Sequence, residues 1–267
     1  MVRAVESAGG SASDTPDLMF QFGALLAYSF ALGIQDLHKE NVVLAAHGPQ
    51  PIDAEVVLSQ IRLPDETQLL KRRSENPDDT SFLQSIRKNS NDLLIDDFTQ
   101  LIDGFLQMFL WVARHADEIS DIIETTVKNE VTPVKVRALL RSTKIYRDHL
   151  NFASKFEFLP EEKLQLERGD IPYFFRHFDD PAIYYMTSRT TSQAVKLHPT
   201  IPGLKTTPIL KIEKLINELL PQSLLYLLKH HADRTWRGQF ESNGFRFSSL
   251  ESDFLIENDA HSYQATR

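Results

Sequence analysis

Asp36-Leu37-His38-Lys39-Glu40-Asn41 packs an acid, an imidazole and an amide into one short stretch, and Asp53 and Glu55 follow in Pro51-Ile52-Asp53-Ala54-Glu55. Phosphoryl transfer uses such a set. An acid orients or deprotonates the attacking hydroxyl, and oxygen ligands hold Mg²⁺ against nucleotide phosphates. A loop Asp, an Asn five residues on and a strand-borne Asp further along supply those groups. His38 fits either as a hydrogen-bonding brace for the loop or as a participant in proton transfer. Asp-x-His and Asp-x-Glu pairs also stand on solvated loops as plain ion pairs. What makes the arrangement specific is its order: apolar helix, Asp36, His38, Asn41, strand, turn, then Asp53 and Glu55.

The elements that must hold these residues are mainly helical. Residues 1–13 are rich in Gly, Ser and Ala and read as a disordered N-terminus. Thr15 and Pro16 read as N-cap and first turn of a helix through Leu25, Leu26 and Phe30, stopped near Gly33. Val42-Val43-Leu44 is rich in strand formers, and His47-Gly48-Pro49 signals a turn. The stretch 62–92 is polar, and Lys71 to Thr80 reads as a mobile loop. Leu94, Phe98, Leu101, Phe105, Met108 and Val112 recur at spacings of three and four, which predicts an amphipathic helix. Pro133 is expected to open another helix ending near Leu150. A third spans Lys211 to His230, bent or restarted at Pro221. After Trp236 no period stands out. The expected organisation is a disordered 1–13, a main domain over 14–235 and an irregular tail over 236–267. The expected fold class is mainly α with a small β element.

Asp36-Leu37-His38-Lys39-Glu40-Asn41 resembles the Asp-Leu-His-Tyr-Glu-Asn motif of the class II lanthipeptide synthetases (LanM type), and Ile52-Asp53-Ala54-Glu55 resembles their Ile-Asp-Leu-Glu motif at the same spacing. Arg137, Arg141, Thr143 and Tyr146, in Val136 to Tyr146, are similar to the family's Arg-x-x-x-Arg-x-Thr-x-x-Tyr segment, and Gly169-Asp170-Ile171-Pro172-Tyr173-Phe174 to its Gly-Asp-Ile-Pro-Tyr-Phe stretch. The matches keep their order across residues 22–178. The resemblance implies the C-lobe of a dehydratase domain related to lipid kinases. That domain phosphorylates Ser and Thr of a precursor peptide with ATP and Mg²⁺, then eliminates phosphate to leave dehydroamino acids. It implies Asp36 and His38 as catalytic residues, and Asn41, Asp53 and Glu55 around Mg²⁺ and the nucleotide. Arg137 and Thr143 would serve elimination, where a guanidinium holds the charge of departing phosphate. Read without the resemblance, Arg137 and Arg141 make a solvated i, i+4 face. On an ideal helix Arg137 and Thr143 stand about 120° apart, so both meet one phosphate only from its edge, or if the helix ends between them. Gly169 suits a turn and Pro172 forces Ile171 extended, an architectural role, with substrate contact as the alternative.

The departures also shape the expectation. Lys39 replaces the family Tyr. Thirty-five residues precede Asp36, too few for a kinase N-lobe with its phosphate-binding Lys, and no Gly-rich loop is present. A separate N-lobe chain or self-association is therefore expected. There are no cysteines, so neither a thiolate zinc site nor the family's zinc cyclase can be built. His47, His115, His149, His177, His198 and His261 show no metal spacing, and His230-His231 suits a helix C-terminus. A net charge of −8 disfavours nucleic acid as a partner. The apolar run Phe22–Ile34 is too short to span a bilayer, and Glu6, Asp14 and Asp17 before it do not suit a signal peptide. A cytoplasmic protein acting on a Ser/Thr-containing peptide is the expectation. Two readings stand beside it: an inactive remnant that binds a peptide or protein, and a kinase-like protein outside lanthipeptide synthesis.

Overall fold

The computed structural model describes residues 18–266 except 46–47, 60, 71–81, 84–92, 139, 142, 152–155, 179, 181, 189–193, 198–218, 234 and 251–252. The expected N-terminal disorder, the Thr15-Pro16 cap, the loop over Lys71–Thr80 and the first part of the Lys211–His230 helix lie outside the described residues. Two compact units emerge. One comprises residues 1–54, 61–120 and 210–267, the other 55–60 and 121–209.

The first unit is built on two helices, α1 (Leu18–Ala31) and α2 (Ile95–Arg114). α1 is apolar nearly all round, the pattern of a helix enclosed on several sides, and Phe22, Leu26 and Phe30 are buried along it. α2 is amphipathic, and buries Phe98, Leu101, Phe105 and Val112 at the predicted spacing. The two meet backbone to backbone. A Cβ on Gly23 would stand 2.0 Å from the Leu101 carbonyl oxygen, and one on Gly104 1.9 Å from that of Phe20. Phe30 then packs on Phe105 and Phe109, with ring centroids 6.4 and 6.3 Å away. α1 leads into a hairpin of β1 (Val42–Ala45) and β2 (Gly48–Pro51), antiparallel from Val42 opposite Pro51 to Ala45 opposite Gly48.

After α2 the chain forms α3 (Ala116–Asn129), which buries only Ala116. The second unit holds a four-stranded antiparallel sheet of β3 (Lys135–Ala138), β4 (Phe174–His177), β5 (Tyr184–Met186) and β6 (Ala194–Lys196) in that spatial order. Helices α4 (Thr143–Leu150) and α5 (Pro160–Leu166) lie between β3 and β4 in sequence. Phe174, Ile183 and Leu197 form one apolar cluster, and Tyr146, Phe158 and Leu166 another. The helix expected from Pro133 to Leu150 is thus corrected to a strand, a break and a shorter helix. Val134 and Val136 favour extended backbone, and β4 supplies the partner that a helix would forgo.

The first unit closes with α6 (Leu220–His231) and a meander of β7 (Gly238–Ser242), β8 (Phe245–Ser249), β9 (Asp253–Glu257) and β10 (Ser262–Thr266). Pro221 stands in the first turn of α6, where its missing N–H costs nothing. The irregular tail expected over 236–267 is corrected by this meander. Asn243 and Gly244, both at positive φ, join β7 to β8 as a two-residue turn, and Phe245, Phe247, Phe254 and Ile256 alternate inward. The expectation of one small β element therefore gives way to ten strands among the described residues. No described helix is long and apolar enough to cross a membrane.

Candidate functional site

The loop that follows α1 is closed by its own residues. Ile34 N–H donates to the Ser29 carbonyl at 2.8 Å, and Gly33 turns the chain at φ 60°. Asp36 has φ 66°, a left-handed conformation that Asp tolerates better than most side chains. Leu37 is wholly buried and donates its N–H to the Thr67 carbonyl at 2.9 Å, which fastens the loop to the 3-10 turn Pro64–Thr67. The Asn41 amide donates to the Asp36 carbonyl at 2.8 Å, and the Asn41 backbone N–H donates to the His38 carbonyl at 2.9 Å. His38 Nδ1 accepts the Glu40 N–H at 3.2 Å. His38 Nε2 stands 3.5 Å from the Asn41 side-chain nitrogen and 3.8 Å from an Asp36 carboxylate oxygen. Lys39 and Glu40 are exposed at the turn.

The hairpin extends this geometry. Ile52 N–H donates to the Asn41 carbonyl at 2.9 Å, one step beyond the Val42–Pro51 pair. Asn41 and Asp53 thus belong to the same open end of the ladder. With its nitrogen engaged on Asp36, Asn41 has its side-chain oxygen left to accept or ligate, and Asp53 is exposed. Two hard oxygens fit Mg²⁺, which takes one or two protein ligands and fills its octahedron from phosphate and water. Among the described residues no group of three or more His, Cys, Asp or Glu is placed to hold a metal.

Glu55, Arg137 and Thr143 belong to the second unit. Arg137 lies on β3 opposite Phe175 of β4. Its guanidinium forms an ion pair with Glu55 and lies 5.5 Å from the centre of the Tyr173 ring. The Glu55 carboxylate, expected beside a cation, is thus engaged by an arginine. Burial, then the nearby Glu55 charge, pushes the Tyr173 hydroxyl pKa above its ordinary value. Thr143 opens α4, so β3 ends between Arg137 and Thr143 and the helical angle between them no longer applies. The Thr143 side chain lies outside the described residues.

Arg141, in the break before α4, is held by a residue that motif reading missed. Glu162 is completely buried. One of its oxygens accepts from Arg141 Nε at 2.8 Å and from the Tyr146 hydroxyl at 2.6 Å, and the other accepts the Leu159 N–H at 2.7 Å. Burial, with the bond to Glu162 next, drives the Tyr146 hydroxyl far above the ordinary tyrosine range. The available signal was local: Pro160 followed two residues later by an acid marks a helix start whose carboxylate reaches back to the preceding backbone.

The Gly169–Phe174 stretch joins α5 to β4. Gly169 N–H donates to the Leu166 carbonyl and Asp170 N–H to the Gln165 carbonyl, with Gly169 at φ 74°. These bonds make a Schellman stop. The buried Gln165 then accepts the Tyr173 N–H at 2.9 Å, which sets the start of β4 next to β3. Two stretches far apart in sequence, Val136–Arg137 and Tyr173–Phe174, are thereby brought to neighbouring strands.

A family model described as a domain of unknown function (DUF4135), known from lanthipeptide synthetase-like proteins, matches residues 6–91, about a third of the chain. The match contains Asp36, His38, Asn41, Asp53 and Glu55. A search of curated proteins found no match. The chain thus shares with lanthipeptide synthetase-like proteins the segment that carries the closed acidic loop and its hairpin.

Proposed function

We propose that the chain is the kinase-like C-lobe of a LanM-like dehydratase, which phosphorylates Ser and Thr of a precursor peptide and then eliminates the phosphate. The observation that carries this reading is the Asp36–Asn41 loop, closed by the Asn41 amide and continued into a hairpin whose open end bears both Asn41 and Asp53. The DUF4135 match over this segment supports it.

Asp36 receives the proton of the peptide hydroxyl, and His38 Nε2 steadies its carboxylate. The Asn41 and Asp53 oxygens would hold Mg²⁺, while Glu55 stays paired with Arg137. When bound, ATP supplies the phosphoryl group and Mg²⁺ offsets the charge of its phosphates. In the second half of the reaction Arg137 takes the charge of phosphate as the Cβ–O bond breaks and the α-proton is lost to a base. Thr143 assists by resemblance. An ATP-dependent reaction on a precursor peptide belongs to the cytoplasm.

Two assays test the two halves separately. The full chain is incubated with a Ser/Thr peptide, ATP and Mg²⁺, alone and with an added kinase N-lobe, and mass spectrometry follows phosphate gain. A synthetic phosphoseryl peptide, without ATP, reports elimination as loss of phosphoric acid. Phosphate gain abolished by Asp36→Asn, with elimination intact, is the expected pattern. If neither peptide changes in any mixture, the dehydratase reading fails. Phosphopeptide that accumulates with no dehydration would point to a kinase outside lanthipeptide synthesis.

A further inference from the structure

Resting on the reading of Arg137 as the holder of departing phosphate, we propose that Glu55 is a built-in competitor for that phosphate: its carboxylate closes the Arg137–Tyr173 anion seat until a phosphorylated residue displaces it. Three observations carry this. The Arg137 side chain is only 16 % exposed, while its partners are open to water, Glu55 at 51 % and Tyr173 at 41 %. The planar cation is fixed from one side by the Tyr173 ring and from its position on β3 by the pairing with β4. Its Nη1 is engaged by a carboxylate that reaches it from 82 residues away in sequence, on a segment with no regular secondary structure.

The chemistry of exchange is simple. A carboxylate and a phosphate monoester use the same fork of the guanidinium, but the ester carries close to two negative charges at neutral pH and has more oxygens to offer. Glu55 is half in water, so detaching it costs little compared with a buried pair. The ring beneath Arg137 keeps the cation in place while its partner changes. An unphosphorylated Ser or Thr side chain has no charge with which to displace Glu55, so the seat discriminates phosphorylated from free hydroxyl side chains.

The test is direct binding of a short phosphoseryl peptide and of its unphosphorylated twin to the full-length chain, by calorimetry at fixed salt, with inorganic phosphate as the minimal probe. Glu55→Gln and Glu55→Ala are both expected to bind the phosphopeptide about tenfold more tightly than the unmodified chain, because one competing charge has gone. Arg137→Ala is expected to abolish binding. Tyr173→Leu is expected to weaken it by a few-fold, with Tyr173→Phe near the original value. Phosphopeptide bound no more tightly by both Glu55 variants than by the unmodified chain overturns the competitor while leaving Arg137 as the phosphate holder. No phosphopeptide binding by any variant, including Glu55→Gln, overturns the elimination role of Arg137 and the competitor with it.

Discussion

The Asp36–Asn41 loop and the Arg137–Tyr146 corner both present charged groups on irregular backbone, and they are stabilised in opposite ways. In the loop the holding bonds run through backbone: Leu37 to Thr67, Asn41 to His38, and the Asn41 amide to the Asp36 carbonyl. The Asp36 carboxylate stands 3.8 Å from His38 Nε2, and Asp53 is exposed. In the corner the charged groups themselves do the holding: Arg137 with Glu55, and Arg141 and Tyr146 with Glu162. Side-chain substitution in the loop should therefore change chemistry more than stability. In the corner it should do the reverse, with Arg137 the exception that bears on both.

The largest expected effect comes from Asp36→Asn. It should lower the phosphorylation rate by about 10²–10⁴-fold, with a small effect on the unfolding midpoint because the Asn41 bond that closes the loop uses the Asp36 backbone carbonyl and stays in place. A large fall in stability would erase the distinction between the two regions. Next stands Glu162→Ala, which leaves Arg141 and Tyr146 without their shared acceptor. A loss of about 3–5 kcal/mol in denaturant unfolding is expected for breaking a buried pair. Arg141 is partly exposed, so water can repay some of the cost, and the lower end is favoured. Asn41→Ala is expected to cost about 1 kcal/mol, one hydrogen bond, and to raise the Mg²⁺ concentration needed for phosphorylation.

The smallest effect concerns acid. Among the described residues, Asp180 of the second unit and Asp233 of the first are held below the ordinary carboxylate range. Asp180 is lowered first by the Tyr184 hydroxyl, and Asp233 first by the Thr235 backbone N–H. A carboxyl whose folded pKa is depressed adds stability above its unfolded value near 3.8, and that contribution fades as pH falls through the lower, folded value. Asp180→Asn and Asp233→Asn should each flatten the acid limb of a stability–pH curve slightly. Steepening would reverse the assigned sign.

The sequence made the helical framework legible where the apolar spacing was long and regular. The α2 stripe from Phe98 to Val112, the stop of α1 before Gly33 and the start of α6 around Pro221 could all be read. The first strand of the hairpin could be read from Val42-Val43, but Gly48-Pro49, which signals a turn, lies within β2, and Asp53, expected on a strand, lies just beyond it. β3 could not, because four residues are too few to show a period and Arg137 and Arg141 imitate a helical face. The C-terminal meander was readable in principle from Asn243-Gly244 and the alternation of Phe245 and Phe247, but its strands are only five residues each. The acidic loop was visible as a motif. The pairing of Arg137 with Glu55 and the role of Glu162 depend on partners 82 and 21 residues away, which no local pattern encodes.

Gly23 and Gly104 carry a consequence for Asp36, which follows α1 in sequence. Where two main chains touch, there is no side chain between them to deform, so the rod that ends at Ala31 has one resting depth against its neighbour. Alanine at either glycine would lift that rod outward, and Asp36, carried on its end, would travel with it. Remote damage to turnover, with every polar group of the loop still present, is the signature to look for.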